Sequence, residues 1–388
     1  MKNKLSNSAA NLYNTCGRKY KYHYQDRLRS KYISGALIMG SAFDKGVNEL
    51  LTSRDLKKAT EIFDSEFENN WINSKKSYIP TSEFLVYAKK DFDYELLNEN
   101  DIVRLQKFYS FEEHKPLTLF NYILEQKEEK GFENLELIEK QYYNLANWLC
   151  LKRKAHLMLQ AYNEKVLPKI KSVIAVQKEF NLEGKSGDTL NGFIDLIVEW
   201  EDGKKYVLDN KTSTYEYEPD SASKSQQLIL YFYAANKEGL KLDGAGFIVC
   251  YKQIQKNRIK ICEKCGNNGT GGRHKTCDRE FQEIGKIEKE SYHSAAKLIE
   301  GKKERCNGAW KETIKPEARV EIILNEIAPQ SQNLVIQTFL GANEGIKMGH
   351  FGPNLDSCMK YGQKCAYYDK CWFGKDDELI TLPEKKND

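Results

Sequence analysis

The sequence predicts an α/β protein in which a mainly helical region precedes a mixed sheet. Two observations carry this. Residues 36–166 hold no clear strand run and show apolar residues at helical spacing, as in 56–71, 83–97 and 142–167. From Pro168 the pattern changes. The runs 173–182, 192–200 and 205–211 are short and rich in Val, Ile, Phe and Tyr, which suits strands; a helical stretch at 223–237 and a further strand run at 245–252 follow. A chain of 388 residues with 40% apolar and 12% aromatic residues can bury a real interior, which excludes a disordered chain.

Taken in order, Ser6, Ser8 and Asn11 read as the capped start of a helix that runs into a basic, tyrosine-rich stretch. Beyond 252 comes a cysteine- and glycine-rich segment at 258–280, then a helix over 286–300, a strand over 318–327 and a helix over 333–343. The tail from 376 is polar and is expected to fray. The formal net charge of +4 creates no global field, so an acidic partner would have to be met by local basic patches. The start, Met1 to Ser6, lacks the apolar stretch of a secretory signal, and no run approaches the roughly 20 apolar residues of a membrane span. The expectation is a soluble cytoplasmic protein with no membrane partner.

In reducing surroundings clustered cysteines suit metal ligation better than disulfides. Cys262, Cys265, His274 and Cys277 form two close pairs around a glycine-rich loop (Gly266, Gly269, Gly271, Gly272), the spacing of a tetrahedral zinc knuckle. Arg273 and Lys275 within it could touch nucleic acid, or the knuckle is purely structural. Cys358, Cys365 and Cys371 form a second set, with Cys16 at the opposite end of the chain as its fourth member. Cys150, Cys250 and Cys306 remain as small core residues.

Asp209 and Lys211 lie two apart on a predicted strand, so both side chains leave the same face. Asp195 is on the preceding strand, with a turn at Asp202-Gly203 between them. A two-residue loop would send Asp195 to the face opposite Asp209. An odd loop or a bulge, pairing 195 with 211, would unite the three. Two carboxylates on one face repel unless a cation lies between them, and Mg²⁺ or Mn²⁺ suits oxygen ligands. The backbone carbonyl of Asn210 is a further candidate ligand, and Lys211 would orient water or neutralise charge on a pentavalent phosphate.

These residues carry a resemblance. Asn191-Gly192-Phe193-Ile194-Asp195, then Val207-Leu208-Asp209-Asn210-Lys211-Thr212-Ser213, resembles the PD-(D/E)XK nuclease superfamily, and within it the RecB-like branch with its Gly-x-x-Asp and Asp-x-Lys-Thr. Gln227 and Tyr231 match that branch's Gln-x-x-x-Tyr, one face of the next helix. The resemblance implies a restriction-endonuclease-like core, a mixed central sheet flanked by helices with a large helical insertion and a zinc-binding insertion. It also implies that Gln227 and Tyr231 support the catalytic centre. Two positions depart from the pattern. Where the branch has Gly-x-x-x-His with the histidine on the metal, Gly40 is followed by Asp44, either a carboxylate ligand or a surface residue. At Gln177-Lys178-Glu179 either Glu179 serves as the first-strand glutamate or that position is unused.

The terminal cysteines resemble those of iron–sulfur exonucleases, the AddB-type and CRISPR-associated RecB-like enzymes, where a [4Fe-4S] cluster pins the two ends of the domain. That implies Cys16, Cys358, Cys365 and Cys371 as cluster ligands, shielded by Tyr367, Tyr368, Trp372 and Phe373; a four-cysteine zinc site and unligated buried cysteines remain alternatives. The chain then divides into 1–35 (one cluster cysteine), 36–167 (helical), 168–252 (nuclease core), 253–283 (zinc knuckle) and 284–388 (three cluster cysteines).

Arg18, Lys19, Lys21, Arg27, Arg29 and Lys31 alternate with Tyr20, Tyr22, Tyr24 and Tyr32, either a strand-binding surface or a tyrosine face packed on the core with solvated cations opposite. The reading is a Mg²⁺- or Mn²⁺-dependent DNA exonuclease, bacterial or phage-encoded, acting in recombination, repair or phage DNA processing. Its partner would be DNA that is single-stranded or has a free end. The chain holds no helicase phosphate loop, so a helicase or recombination protein would be a separate partner. The alternatives are a structure-selective endonuclease and a DNA-binding or assembly subunit with a degenerate centre.

Overall fold

The computed structural model describes residues 4–30, 35–77, 96–98, 100–103, 105, 125–126, 129, 137–183, 189–263, 268–269, 309–360, 363–377 and 379–383. Two compact units are present, Met1–Lys252 with Arg319–Asp388, and Gln253–Ala318.

In the first unit, β1 (Lys4–Ser6) leads into α1 (Asn7–Thr15), and the Ser6 side chain caps that helix by accepting from the Ala9 N–H at 3.2 Å. α2 (Gly17–Tyr20), a π-turn over Lys21–Gln25 and β2 (Leu28–Ser30) complete the N-terminal segment. Three long helices follow, α3 (Gly35–Ser53), α4 (Leu56–Ser77) and α5 (Leu137–Lys165). They pack closely because Gly46 lacks a side chain; a Cβ there would stand 3.1 Å from the Ala59 carbonyl and from Phe63. Phe63 stacks on Phe67 at 5.4 Å and Phe67 on Trp148 at 5.8 Å. The helical expectations for 83–97 (save Leu96 and Leu97) and 286–300 lie outside the described residues.

The sheet is built on β3 (Ile170–Glu183), β4 (Thr189–Trp200), β5 (Lys205–Ser213) and β6 (Gly244–Cys262). β3 runs antiparallel to β4 along one edge. On the other edge β4 meets β1 at its start, in parallel from Thr189 to Asn191, and β5 at its end, antiparallel from Leu196 to Glu199. Between them, among the described residues, 192–195 have no strand on that edge and are flanked by β3 alone. β5 continues in parallel with β6 from Tyr206↔Gly244 to Ser213↔Tyr251, joined through α6 (Gln226–Lys237). The helix expected over 223–237 is broken at Ser225. That residue is extended, and its hydroxyl accepts from the Leu228 N–H at 3.3 Å, which sets Gln227 in the first turn of α6. β8 (Trp310–Asn325) pairs with β6, and its end lies so close to the start of β6 that a Cβ at Gly244 or Gly246 would come within 2.5 Å of the Asn325 or Ile323 carbonyl. α7 (Pro329–Lys347) packs on α6 and α1. Ile194, Val207, Val249, Leu230 and Phe339 meet in the core they share.

The termini meet. β9 (Met359–Lys360) and β10 (Gln363–Lys364) form a small hairpin before α8 (Tyr368–Phe373). β11 (Leu379–Thr381) then pairs antiparallel with β2. The tail thus forms a strand where fraying was expected, because Leu379 buries against Tyr22, Leu28 and Tyr367. The tyrosines of the basic stretch mostly pack. Tyr20 stacks on Phe351 at 6.0 Å, Tyr22 meets Tyr367 at 5.6 Å, and Tyr24 stays 38% exposed. Four of its cations bind protein groups: Lys21 to Asp26 at 2.9 Å, Arg29 to the Leu28 carbonyl at 2.9 Å, Arg18 Nε to the Phe351 carbonyl at 3.3 Å and Arg27 to the Pro383 carbonyl. Lys31 and Tyr32 lie outside the described residues.

The second unit takes in the end of β6, the start of β8 and β7 (Asn268–Gly269), with Ile261 paired to Asn268. No described helix is long and apolar enough to cross a membrane.

Candidate active site

The hairpin turn decides whether the acids meet. Trp200 N–H donates to the Lys204 carbonyl at 2.8 Å across a three-residue turn, 201–203. Gly203 takes φ +83°, a conformation that glycine adopts without steric cost, and Asp202 accepts from the Lys204 N–H at 3.0 Å. The loop is odd, as the sequence requires, but one residue earlier than a 195-to-211 pairing needs. The ladder runs Leu196↔Leu208, so Asp195 lies opposite Asp209, with Lys211 one same-face step farther. Here β5 leaves β4 while keeping β6, so the three side chains sit at an open end of the hairpin.

Asp209 is 2% exposed. Burial, with the Asp195 carboxylate adding, pushes it up to about 7 against the pull of Lys211. Lys211 Nζ lies 2.5 Å from Asp209 Oδ2, yet that oxygen receives no hydrogen bond of acceptable geometry. We take this as an ion pair whose buried oxygen still lacks a directed donor. Burial lowers the Lys211 pKa, but the Asp209 and Asp195 carboxylates and Tyr217 together more than offset it and keep the ammonium charged. Lys211 Nζ also approaches Gln227 Oε1 at 3.4 Å, and Gln227 Nε2 donates to the Tyr231 hydroxyl at 2.8 Å. The sequence-predicted residues Asp195, Asp209, Lys211, Gln227 and Tyr231 are therefore brought together.

Phe180 locks the far end of this chain of contacts. It meets Tyr231 edge-on at 5.9 Å and lies opposite Gly192, where a Cβ would stand 2.9 Å from its ring. Gly192→Val is expected to displace Phe180 and Tyr231 and to cost about 1–3 kcal/mol, readable by thermal denaturation. Asn210 points away from Asp209, as alternation demands, and accepts from the buried Tyr162 hydroxyl at 3.1 Å. That anchor left no trace in the spacing of the residues.

α3 brings up Asp44. Gly40, one turn earlier on the same face, would carry a Cβ 3.5 Å from Thr212 Oγ1, so the helix lies against the end of β5. Asp44 is pushed up to about 7 by burial and then by Asp195, with Lys211 and Lys45 opposing. Its side chain is nevertheless exposed. Water therefore offsets part of that rise. Glu179 is exposed and accepts from Asn181 at 3.3 Å, whereas Gln177 Nε2 donates to Asp195 Oδ1 at 3.2 Å.

Among the described residues no three His, Cys, Asp or Glu side chains have the spacing of a preformed metal site. Two adjacent carboxylates, one with a buried oxygen lacking a directed donor, nonetheless suit a hard cation, since Mg²⁺ commonly takes one or two carboxylates and completes its shell with water and substrate phosphate.

The four terminal cysteines come from both ends of the chain into one neighbourhood. Cys371 is raised by burial and further by Cys358, Cys16 and Cys365, with Arg18 opposing. Cys16 Sγ accepts from the Asn354 N–H at 3.3 Å, and Cys365 N–H donates to the Cys358 carbonyl at 2.8 Å. Tyr367 is buried beside Cys365 and Cys371, but Trp372 and Phe373 are 49% and 62% exposed and do not shield them. α8 is too short to bury both of its faces. Cys262 is buried; Cys265, His274 and Cys277 lie outside the described residues.

Two carboxylates and an ammonium gathered where a parallel strand leaves its hairpin partner make a centre suited to phosphate chemistry, that of a nuclease. The chain belongs to the PD-(D/E)XK nuclease superfamily, whose family model matches residues 4–100 and 104–370. No curated protein matches it. A solved structure named "Crystal structure of SSO0001" aligns over 69% of this chain and 92% of its own at 14% identity, with a TM-score of 0.26.

Proposed function

We propose that the protein is a Mg²⁺- or Mn²⁺-dependent deoxyribonuclease of the RecB-like branch that shortens DNA from an end. The observation that carries this is the convergence of Asp195, Asp209 and Lys211 beside the Gln227–Tyr231 pair. Asp195 and Asp209 would hold the ion, with Asp44 and the Asn210 carbonyl as further candidates. A divalent ion bound there supplies Lewis acidity toward a phosphoryl oxygen and makes water a stronger nucleophile. Lys211 neutralises charge as it builds on the phosphate oxygens. Gln227 limits the reach of that ammonium, and Tyr231, packed edge-on against Phe180, accepts from the Gln227 amide and fixes it.

Incubation of labelled single- and double-stranded DNA with Mn²⁺ tests this. Progressive end-shortening is expected. Discrete internal cuts would indicate an endonuclease, and retention without cleavage a binding subunit with a degenerate centre. A role in recombination, repair or phage DNA processing beside a separate helicase is part of the same proposal.

The four terminal cysteines are proposed to hold a [4Fe-4S] cluster, and Cys262, Cys265, His274 and Cys277 a zinc ion. Support for the first is the approach of Cys358, Cys16 and Cys365 to Cys371. For the second it is ligand type and spacing. Protein purified anaerobically is expected to be brown and to contain about four iron atoms per chain. A colourless preparation containing zinc alone would exclude the cluster.

A further inference from the structure

We infer that Gln177 is a positioning residue of the cation site, its side-chain amide holding one oxygen of Asp195 so that the other is presented toward Asp209. The inference rests on the reading of the centre as a metal-dependent nuclease. Three observations carry it.

Gln177 adopts φ +49° in the middle of β3, a left-handed conformation that strands do not use and that glycine would accept without strain. The register is the same on either side, Val176↔Leu196 and Lys178↔Ile194, so no inserted residue explains the distortion. The side chain is exposed and is not held by packing; among the described residues its hydrogen bond goes to Asp195 Oδ1 at 3.2 Å. Glu179, the next residue on that face, is turned to Asn181 and leaves the place beside Asp195 to the amide.

The chemistry is directional. An amide N–H fixes a carboxylate oxygen without adding charge, so Asp195 stays anionic toward a cation yet cannot rotate freely. Partners of this kind commonly change metal affinity by about 10- to 100-fold when removed.

Calorimetric Mn²⁺ binding to the full chain tests the inference with Gln177→Gly and Gln177→Glu. The glycine variant accepts the backbone angle, so its melting temperature should hold or rise while Mn²⁺ binding weakens about tenfold. The glutamate variant has no N–H to donate to Asp195 and should also bind Mn²⁺ less tightly than wild type; a gain in affinity there would make position 177 a ligand and not a positioning residue. Wild-type affinity in the glycine variant, or tighter binding in the glutamate variant, would overturn the assignment. The nuclease reading fails separately: wild type that binds Mn²⁺ but leaves DNA intact removes the activity while the comparison of affinities still decides the role of Gln177.

Discussion

Replacing Lys211 by methionine is expected to lower the rate of DNA cleavage by about a hundred- to a thousandfold, with kcat falling far more than KM changes. Methionine keeps an apolar stem in the half-buried slot, so the loss is that of the ammonium. Lys211 sits 2.5 Å from Asp209 and is restrained by Gln227, which makes its charge available where phosphate charge grows in the transition state. The variant should fold. Without its cation Asp209 takes up a proton more readily, which relieves the buried charge at modest cost. That same uptake moves the acid limb of the pH–rate profile upward, because a protonated acid is a poor metal ligand. Initial rates across pH 6–9 read both effects, and a variant within threefold of wild type at every pH would contradict the role.

The second large effect is a reversal of pH-dependent stability at Asp209. Its ordinary value of 3.8 becomes about 7 in the folded chain. Between those values the folded protein binds more protons than the unfolded one. The contribution of Asp209 to the stability of the metal-free protein is therefore fully present below pH 3.8, is lost as pH rises toward 7 and levels off above. Asp44, also raised, adds in the same direction but less, because its side chain is exposed to water. Mn²⁺ should restore the loss at pH 8, by about 2.7 kcal/mol at a hundred times its dissociation constant. Asp209→Asn should remove the pH dependence assigned to this residue. Its amide oxygen can face Lys211 while its NH₂ faces Asp195, so the metal-free variant should melt above wild type at pH 8 and gain nothing from Mn²⁺. Thermal melts at pH 4, 6 and 8 with and without Mn²⁺ check the pattern; a wild type that stabilises steadily from pH 4 to 8 without metal would contradict it.

Much of the site was legible because strand alternation and helix periodicity are local rules. They put Asp209 with Lys211 on one strand face and Gln227 with Tyr231 on one helix face, the family resemblance marked those residues as a site, and the demand for a shared face required an odd hairpin loop. The rule could not say which odd loop. That depended on Gly203 accepting φ +83° and on Asp202 binding the Lys204 N–H, which shifted the partner of Asp195 from Lys211 to Asp209. Contacts between distant segments were out of reach for the same reason. Nothing in the spacing joins Phe180 to Gly192, Tyr162 to Asn210 or Gln177 to Asp195. Leu379 alone in a polar tail gave no periodic signal, though its burial against Tyr22 and Leu28 makes the C-terminal strand. Trp372 and Phe373 looked like shields by adjacency, but a six-residue helix turns them outward.

The centre is best tested by anomalous diffraction from crystals soaked in Mn²⁺ at pH 8, recorded at the manganese edge. A peak between the Asp195 and Asp209 carboxylates, absent in Asp209→Asn, is the predicted result. Manganese found elsewhere on the chain, with those two carboxylates bare and Lys211 still against Asp209, would contradict a shared cation.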